Sequence, residues 1–368
     1  MIKYRIINAV PAYGMAPVSL DILKDKTFQV LEQVKKSRVE KNYLIIHKKE
    51  HSLITNLEKE IQNAADISLE IITVEAEGNF IYGNATAARN VTRGEKPIPW
   101  GMNGTIPICS VEKLLSYEEK QVYIGGSAKK AGKYTFSNKV KPGDILKECG
   151  SKNSLKAMYF GYPMGKFVSL EALEKEVELT TDYIKIIDQA DCMLDQLLEI
   201  MQGYAKETCG GCVFGYEGIT QINAILSDIS QKKGKSDDIE LLIDLCGVMK
   251  AQVLCDIGKA VAETVLHAIA GYKDEIESHI MKKACPATVC KKFVTYHILA
   301  DKCVGCTDCA DECPEDAIIG KKKFIHIINQ DECIQCEQCL KVCDYDAIVI
   351  AGAVKPRTPK KPLPCKRK

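Results

Sequence analysis

The chain has 368 residues, 46% of them hydrophobic and 27% charged, with a formal net charge of +1. It is too long for one ordinary core, so two to four domains are expected, and the balanced charge argues against a chain built to bind nucleic acid or an anionic membrane surface. No apolar run reaches the roughly 18 residues of a spanning helix, and residues 1–11 hold neither a long apolar segment nor a cleavage site, so the expectation is a cytoplasmic protein without membrane insertion.

From residue 1 to about 100 the pattern is mixed α/β. After a short strand-like stretch at 1–11, Thr27–Lys36 reads as a helix, with Phe28, Leu31 and Val34 at three-residue steps. A buried strand over 42–47 (Tyr43, Leu44, Ile45, Ile46) precedes a helix over 53–64 that carries Leu53, Leu57 and Ile61 on one face. Leu69–Val74 is a further strand. Strand, helix, strand in this order predicts a parallel unit. Between 101 and 190, short β-type runs at 122–124 and 134–140 are interrupted by Gly-Gly, Lys-Pro-Gly and Tyr-Pro-Met-Gly, the punctuation of a small β-rich domain. The lone Trp100 and the lysines of 129–141 read as ordinary junction or surface features.

Residues 191–284 turn helical. After a stretch at 192–201, the segment 216–231 sets Ile219, Ile222, Leu226 and Ile229 on one stripe. Ser236 is the expected N-cap of the next helix, with Asp237 and Asp238 in its first turn and Ile239, Leu242, Cys246 and Met249 along it. A last helix is expected over 258–273, and four such helices fit a bundle. The tail, 354–368, holds Pro356, Pro359, Pro362 and Pro364 and, from 356 on, six basic residues and no acid. It is expected to be extended, either as a disordered tail or as a strap on a partner subunit.

Eighteen cysteines in an unsecreted chain read as metal ligands or redox groups, because disulfides would be reduced there, and ten of them lie between Cys285 and Cys343. Cys303, Cys306, Cys309 and Cys313, followed by Pro314, have the spacing C-x2-C-x2-C-x3-C-P. Cys333, Cys336, Cys339 and Cys343 repeat it thirty residues later, and an Ala-Ile pair follows each set. Three thiolates on a tight loop reach three corners of one cubane, while the fourth faces the other cluster. Cys303, Cys306, Cys309 and Cys343 are therefore assigned to one 4Fe–4S cluster, and Cys333, Cys336, Cys339 and Cys313 to a second. Paired zinc knuckles would want separated Cys-x2-Cys pairs instead. Asp344 stands where the second repeat would usually have proline. Residues 285–353 thus read as a two-cluster ferredoxin module passing single electrons in an oxygen-shielded setting.

The upstream run Glu207-Thr208-Cys209-Gly210-Gly211-Cys212-Val213-Phe214-Gly215-Tyr216-Glu217-Gly218 resembles the E-S-C-G-x-C-x-x-C-R-E-G signature of the NADH-binding flavoprotein subunit of complex I. The β subunits of NAD-linked and electron-bifurcating iron-only hydrogenases share that signature. Asp191-Cys192-Met193-Leu194-Asp195, Leu254-Cys255-Asp256-Ile257-Gly258, and Glu277-Ser278-His279-Ile280 followed by Cys285-Pro286-Ala287-Thr288-Val289-Cys290 resemble further elements of the family. The last of these, joined to a two-cluster ferredoxin, points to the hydrogenase branch. The resemblance implies an α+β multidomain architecture: an N-terminally truncated α/β flavin-type domain (1–100), a β-grasp domain like that of soluble-ligand-binding proteins (101–190), an iron–sulfur helical bundle (191–284) and the ferredoxin.

In that family the bundle carries a cluster, and Cys209, Cys212 and Cys255 match three of its four ligands, while Gly215 and Tyr216 stand where the family has cysteine and arginine. Three thiolates suit a 3Fe–4S cluster or a 4Fe–4S cluster with an outside ligand; Cys246 is a candidate substitute, and an empty, remodelled site is the alternative. FMN and NADH binding is expected to be lost. The family's glycine-rich loop has no counterpart, Tyr82-Gly83-Asn84-Ala85-Thr86-Ala87-Ala88 lacks both carboxylates of the matching element, and Cys109-Ser110-Val111-Glu112-Lys113 lacks the asparagines of another. Cys285 and Cys290, with Cys365 and either His326 or His297, are a candidate zinc set, the alternative being unliganded thiols; His326 itself reads as a surface residue. The leading expectation is an electron-transfer subunit that works with other subunits of an oxidoreductase, or with a free ferredoxin, and is not itself catalytic. An NADH-dependent flavoprotein completed by another chain, or a structural adaptor with only the ferredoxin arm active, are the alternatives.

Overall fold

The structure, a computed structural model, describes residues 3–11, 16–37, 39–64, 66–75, 80–99, 106–161 and 165–365. Trp100 and part of the Tyr-Pro-Met-Gly turn lie outside them. The chain divides into two compact units. One is Met1–Gln189 with Gln196–Ile225 and Asp237–Gly271, and the other is Ala190–Asp195 with Leu226–Ser236 and Tyr272–Lys368.

The first unit opens with β1 (Tyr4–Asn8), α1 (Val18–Asp25), α2 (Thr27–Lys36), β2 (Lys41–His47), α3 (His51–Asn63), β3 (Leu69–Val74), α4 (Ala85–Val91), β4 (Ile108–Ser110) and the one-turn α5 (Val111–Leu114). The strands form a fully parallel sheet in the order β3-β2-β1-β4. Leu44, Ile45 and Ile46 are all fully buried, as a strand covered on both faces requires. In α2 the buried face is Val30, Leu31 and Val34, and Phe28 is exposed. Three-residue steps slip around a 3.6-residue helix, so Phe28 rotates off the core stripe. Because β4 pairs with β1, this sheet draws on chain beyond residue 100.

The same unit continues with β5 (Glu119–Gly126), β6 (Gly132–Ser137), β7 (Lys139–Val140), α6 (Pro142–Cys149), β8 (Leu155–Phe160), β9 (Lys166–Val168), β10 (Val177–Glu178) and β11 (Tyr183–Asp188). A mixed sheet, β6-β5-β11-β8-β9, has β11 parallel to β5 and its other neighbours antiparallel. Ile145 and Cys149 of α6 share its core with Val122, Ile124, Phe136 and Ile184. Lys120 is held between Glu112 Oε2, at 2.7 Å, and Asp182.

Four helices follow: α7 (Met193–Glu207), α8 (Val213–Ser230), α9 (Asp238–Gln252) and α10 (Asp256–Met281). Ile219, Ile222, Leu226 and Ile229 of α8 and Ile239, Leu242, Cys246 and Met249 of α9 are buried. The N-cap of α9 is Asp237 and not Ser236. The last helix begins at Asp256 and continues past Lys273 to Met281, with a non-helical Tyr272 (φ −138°, ψ 28°) inside it. Hydrophobic residues resume after that break, which a periodicity count restarting at each interruption does not register.

In the second unit the ferredoxin module consists of β12 (Thr295–Ile298), α11 (Asp308–Asp311), β13 (Ile318–Ile319), β14 (Phe324–Ile325), β15 (Ile327–Ile328), α12 (Gln338–Lys341) and β16 (Ile348–Ala351). β12 pairs with β16 and β13 with β15, both antiparallel. The tail adds β17 (Leu363–Pro364), antiparallel to β14. Residues 363–365 are thus docked on this chain's own ferredoxin module.

Candidate metal centres

The two cysteine repeats share backbone conformation as well as sequence. Positive φ at Gly305 (71°), Thr307 (91°) and Asp316 (49°) recurs thirty residues later at Gln335 (60°), Glu337 (66°) and Asp346 (47°). Left-handed residues within such turns can bring successive N–H groups to one side, the geometry of an anion-holding nest. At Gly305 a Cβ would stand 2.6 Å from the Phe324 nitrogen, so only glycine lets this loop lie against the hairpin. One small cavity is lined by Cys303, Cys306, Cys309 and Cys343, and another by Cys333, Cys336, Cys339 and Cys313. Each takes three sulfurs from one repeat and one from the other. Burial, reinforced by neighbouring sulfurs, pushes the Cys309 thiol up to about 12 and Cys339 up to about 11. Such thiols ionise only against a cationic occupant such as iron.

A different donor set lies upstream in the same unit. The Sγ atoms of Cys192, Cys285 and Cys290 and a ring nitrogen of His279 all lie within 4.8 Å of one another. His279 Nε2 is 3.3 Å from Cys192 Sγ and 3.6 Å from Cys290 Sγ. Tetrahedral zinc with Zn–S bonds of about 2.3 Å places its sulfurs about 3.8 Å apart, so this spacing fits a single ion and is too tight for a cubane. His279 Nδ1–H donates to the Glu275 carbonyl at 2.8 Å, which leaves the Nε2 lone pair facing the sulfurs. Burial works against a charge on His279, yet hydrogen bonds with the Cys192 and Cys285 sulfurs raise it to about 10. Hydrogen bonding with Cys192 and Cys290 lowers Cys285, while Cys290, bonded to Cys192 and Cys285, is raised. Crowded thiols without a cation cannot all ionise, and a divalent ion removes that conflict.

The grouping differs from the expected zinc set: Cys285 and Cys290 stand in these four residues, whereas Cys365 and His326 do not, and neither does His297, whose Nε2 lies 2.8 Å from the Thr295 hydroxyl. Cys365 is bound to the hairpin through its N–H and the Lys323 carbonyl, at 2.9 Å. Its thiol, raised first by burial, is raised further by Cys303 and Cys306. His326 is 1% exposed and lines the first ferredoxin cavity, so it is no surface residue. Cys192 and His279 stand 87 residues apart, and only the return of α10 beside the start of α7 joins them.

In the first unit, Cys209 and Cys212 precede α8 and Cys255 immediately precedes α10. Burial raises the Cys255 thiol, the Cys212 and Cys209 sulfurs raise it further, and the Gly258 and Ile257 N–H groups of the helix N-terminus oppose them. Gly211 N–H donates to Cys209 Sγ at 3.4 Å. A Cβ on Gly215 would lie 2.7 Å from Cys212 Sγ. Cys246 sits on the buried stripe of α9, and burial alone pushes its thiol up to about 12, so the structure gives it to the core.

In the elements that resemble parts of a flavin site, three side-chain acceptors are engaged within the chain. Asn84 Oδ1 caps α4, accepting from Thr86 N–H at 3.0 Å and Ala87 N–H at 3.1 Å. Ser110 caps α5, and Glu112 is spent on Lys120.

Cysteine loops, a helical bundle and a dicluster module together define an iron–sulfur protein of the NADH dehydrogenase and hydrogenase type. Residues 195–279 match the NADH-ubiquinone oxidoreductase-F iron-sulfur binding region, and 302–348 match the 4Fe-4S dicluster domain. The chain is similar to the NADP-reducing hydrogenase subunit HndC of Solidesulfovibrio fructosivorans, 30% identical over 50% of this chain and 39% of that protein. It is also similar to an NADH-quinone oxidoreductase subunit of Streptomyces coelicolor, 27% identical over 29% of this chain and 24% of that one. A crystal structure of NAD+-reducing NiFe-hydrogenase in the H2-reduced state shares the fold, with a TM-score of 0.67 at 17% identity over 76% of this chain and 57% of that chain. The matched part is under two thirds of each of these proteins. No helix among the described residues is long and apolar enough to cross a membrane.

Proposed function

We propose that this chain is an electron-relay subunit of a cytoplasmic, multi-subunit oxidoreductase, that it carries two 4Fe–4S clusters in its ferredoxin module, and that it does not itself bind FMN or NADH. The observation that carries this reading is the pair of cavities, each lined by four cysteines drawn three and one from the two repeats. When bound, the clusters supply one-electron carriers whose potentials the protein sets. The chain's residues hold them: Cys303, Cys306, Cys309 and Cys343 at the first, Cys333, Cys336, Cys339 and Cys313 at the second. The apolar walls, Ile298 and Ile348 at one and Ile318 and Ile328 at the other, keep water from the sulfurs. Cys336 is exposed, which makes the second cavity the side open to exchange with a partner.

Cys209, Cys212 and Cys255 hold a third cluster with one non-cysteine position, and Cys192, His279, Cys285 and Cys290 hold a structural zinc. The mixed sheet of the first unit is a β-grasp domain, and with the parallel sheet it serves packing and docking. The engaged acceptors at Asn84, Ser110 and Glu112 support the loss of the flavin site. Anaerobic purification with iron, zinc and flavin analysis tests the reading: about eleven or twelve irons per chain, about one zinc and no flavin are expected. A colourless protein, or stoichiometric FMN, overturns it.

A further inference from the structure

Resting on the reading that the first ferredoxin cavity holds a 4Fe–4S cluster, we propose that the basic hairpin beside that cavity is the docking face for an acidic one-electron carrier protein. Residues 317–330 and 347–368 hold ten lysines and arginines and no acid. The fold brings the two stretches together, because β17 of the tail pairs with β14, Phe324 opposite Pro364 and Ile325 opposite Leu363. Lys321, Lys322 and Lys323 of the hairpin turn and Lys360 and Lys361 of the tail are all exposed. None of them enters an ion pair among the described residues. Exposed cations gathered on one hairpin without counter-charges set up a positive potential that an acidic surface neutralises. The hairpin is also fixed to the cysteine loop. Lys323 N–H donates to the carbonyl of Gly305, between Cys303 and Cys306, at 2.9 Å, and Cys365 N–H donates to the Lys323 carbonyl at 2.9 Å.

Val304 and Tyr345, both exposed, line the first cavity. An apolar centre beside the cysteines with charge at its rim is the build of a protein contact, whereas a phosphate backbone would use the charge alone. The acids on this flank, Asp308 and Asp311 of α11 and Asp344 and Asp346 beside Tyr345, stand on the cysteine loops and not on the hairpin. Positive charge is therefore one-sided, which orients an incoming carrier. The second cavity has the opposite charge. Glu315 and Glu337 line it, and Asp331 and Glu332 stand exposed just before Cys333. Like charge turns an acidic carrier away from that mouth and toward the first, leaving the second to other partners. One electron crosses between the first cluster and the docked carrier, each gaining what the other loses, with no bond made and no proton moved.

The test uses the full chain with its clusters and, as probe, an acidic ferredoxin. Zero-length carbodiimide coupling joins lysine amines to carboxylates, so in the wild type the cross-links should map to Lys321, Lys322, Lys323, Lys360 or Lys361. Stopped-flow electron exchange with the same probe should slow as salt rises toward about 1 M, where the Debye length is about 3 Å. Lys322→Glu with Lys361→Glu should lower the low-salt rate about tenfold at full iron, and Lys322→Gln with Lys361→Gln should lower it less. Lys59→Glu with Lys130→Glu, the same change of net charge placed elsewhere, should keep the wild-type rate. Cross-links confined to other lysines, a wild-type rate indifferent to salt, or an equal loss in the control pair overturns the proposal. So does tighter binding of a DNA duplex that the same lysine variants abolish, which would make the face one for nucleic acid. If the lysine variants lose iron, the wild-type cross-links and salt dependence decide the matter. A wild type without cluster iron instead sinks the underlying reading, and this docking role with it.

Discussion

His279→Gln separates a zinc site from a cluster of idle thiols. Structural zinc contributes about 10–16 kcal/mol of apparent binding energy in small zinc domains. Shared over four ligands, one ligand accounts for roughly 2.5–4 kcal/mol, so losing the Nε2 donor should weaken zinc by about two to three orders of magnitude. Without metal, the same change removes the Nδ1–H bond to the Glu275 carbonyl and the Nε2 contacts with the Cys192 and Cys290 sulfurs, each hydrogen bond worth about 0.5–1.5 kcal/mol, and the edge contact with Phe293, whose ring centroid lies 4.8 Å away. Glutamine keeps an amide donor and much of the volume, so folding itself should survive. The assay is zinc content after purification, competition against a chromophoric chelator, and thermal unfolding with and without that chelator. Wild type should hold about one zinc per chain and melt lower after chelation, and the variant should melt at the chelated wild-type temperature whether or not chelator is present. If chelation leaves the wild-type melting point unchanged and zinc is near zero, the four-residue site is not a metal centre.

The crossed ligand assignment can be checked by counting iron in double variants. Cys303→Ser with Cys343→Ser should cost one cluster and about four irons, whereas Cys303→Ser with Cys313→Ser should cost both and about eight; equal losses refute the crossing. At the bundle, Gly215→Cys places a thiol beside Cys212 and should add one iron or replace a 3Fe–4S resonance by that of a reducible 4Fe–4S cluster, and an unchanged spectrum with unchanged iron argues against a cluster there. Lys120→Met should destabilise the first unit by about 3 kcal/mol at pH 7, because it leaves Glu112 and Asp182 together without their cation. The pH dependence has a definite sign. Burial outweighs the Lys120 attraction and raises Glu112, so its ionisation opposes folding as pH rises through that raised value. Burial is in turn outweighed at Lys120, raised by Asp182 and Glu112, so its contribution persists up to its ordinary value and is lost only as pH climbs through the raised one. The variant's deficit in denaturant unfolding should therefore shrink toward pH 4.5, and a deficit independent of pH would remove the electrostatic account.

Local pattern went a long way in the regular elements. Thr27–Lys36 and Leu69–Val74 are the helix and strand that their periodicity predicts, and the buried stripes of α8 and α9 coincide with Ile219 to Ile229 and Ile239 to Met249. Phe28 shows where counting fails, since a three-residue step meets the core face for only a turn or two. The length of α10 was hidden by the break at Tyr272.

Short-range spacing is what the sequence alone determined here, because ligands two or three residues apart are positioned by one turn of backbone. The doubled cysteine repeat and the Cys209–Cys212 pair are of that kind. Tertiary structure decided everything that needs distant chain to meet. It joined Cys192 and His279 to Cys285 and Cys290, set Cys365 beside Cys303, and turned His326 into the first cavity while leaving Cys246 in the core. Those positions follow from how helices and hairpins return upon one another, and no periodicity along a single segment encodes that return.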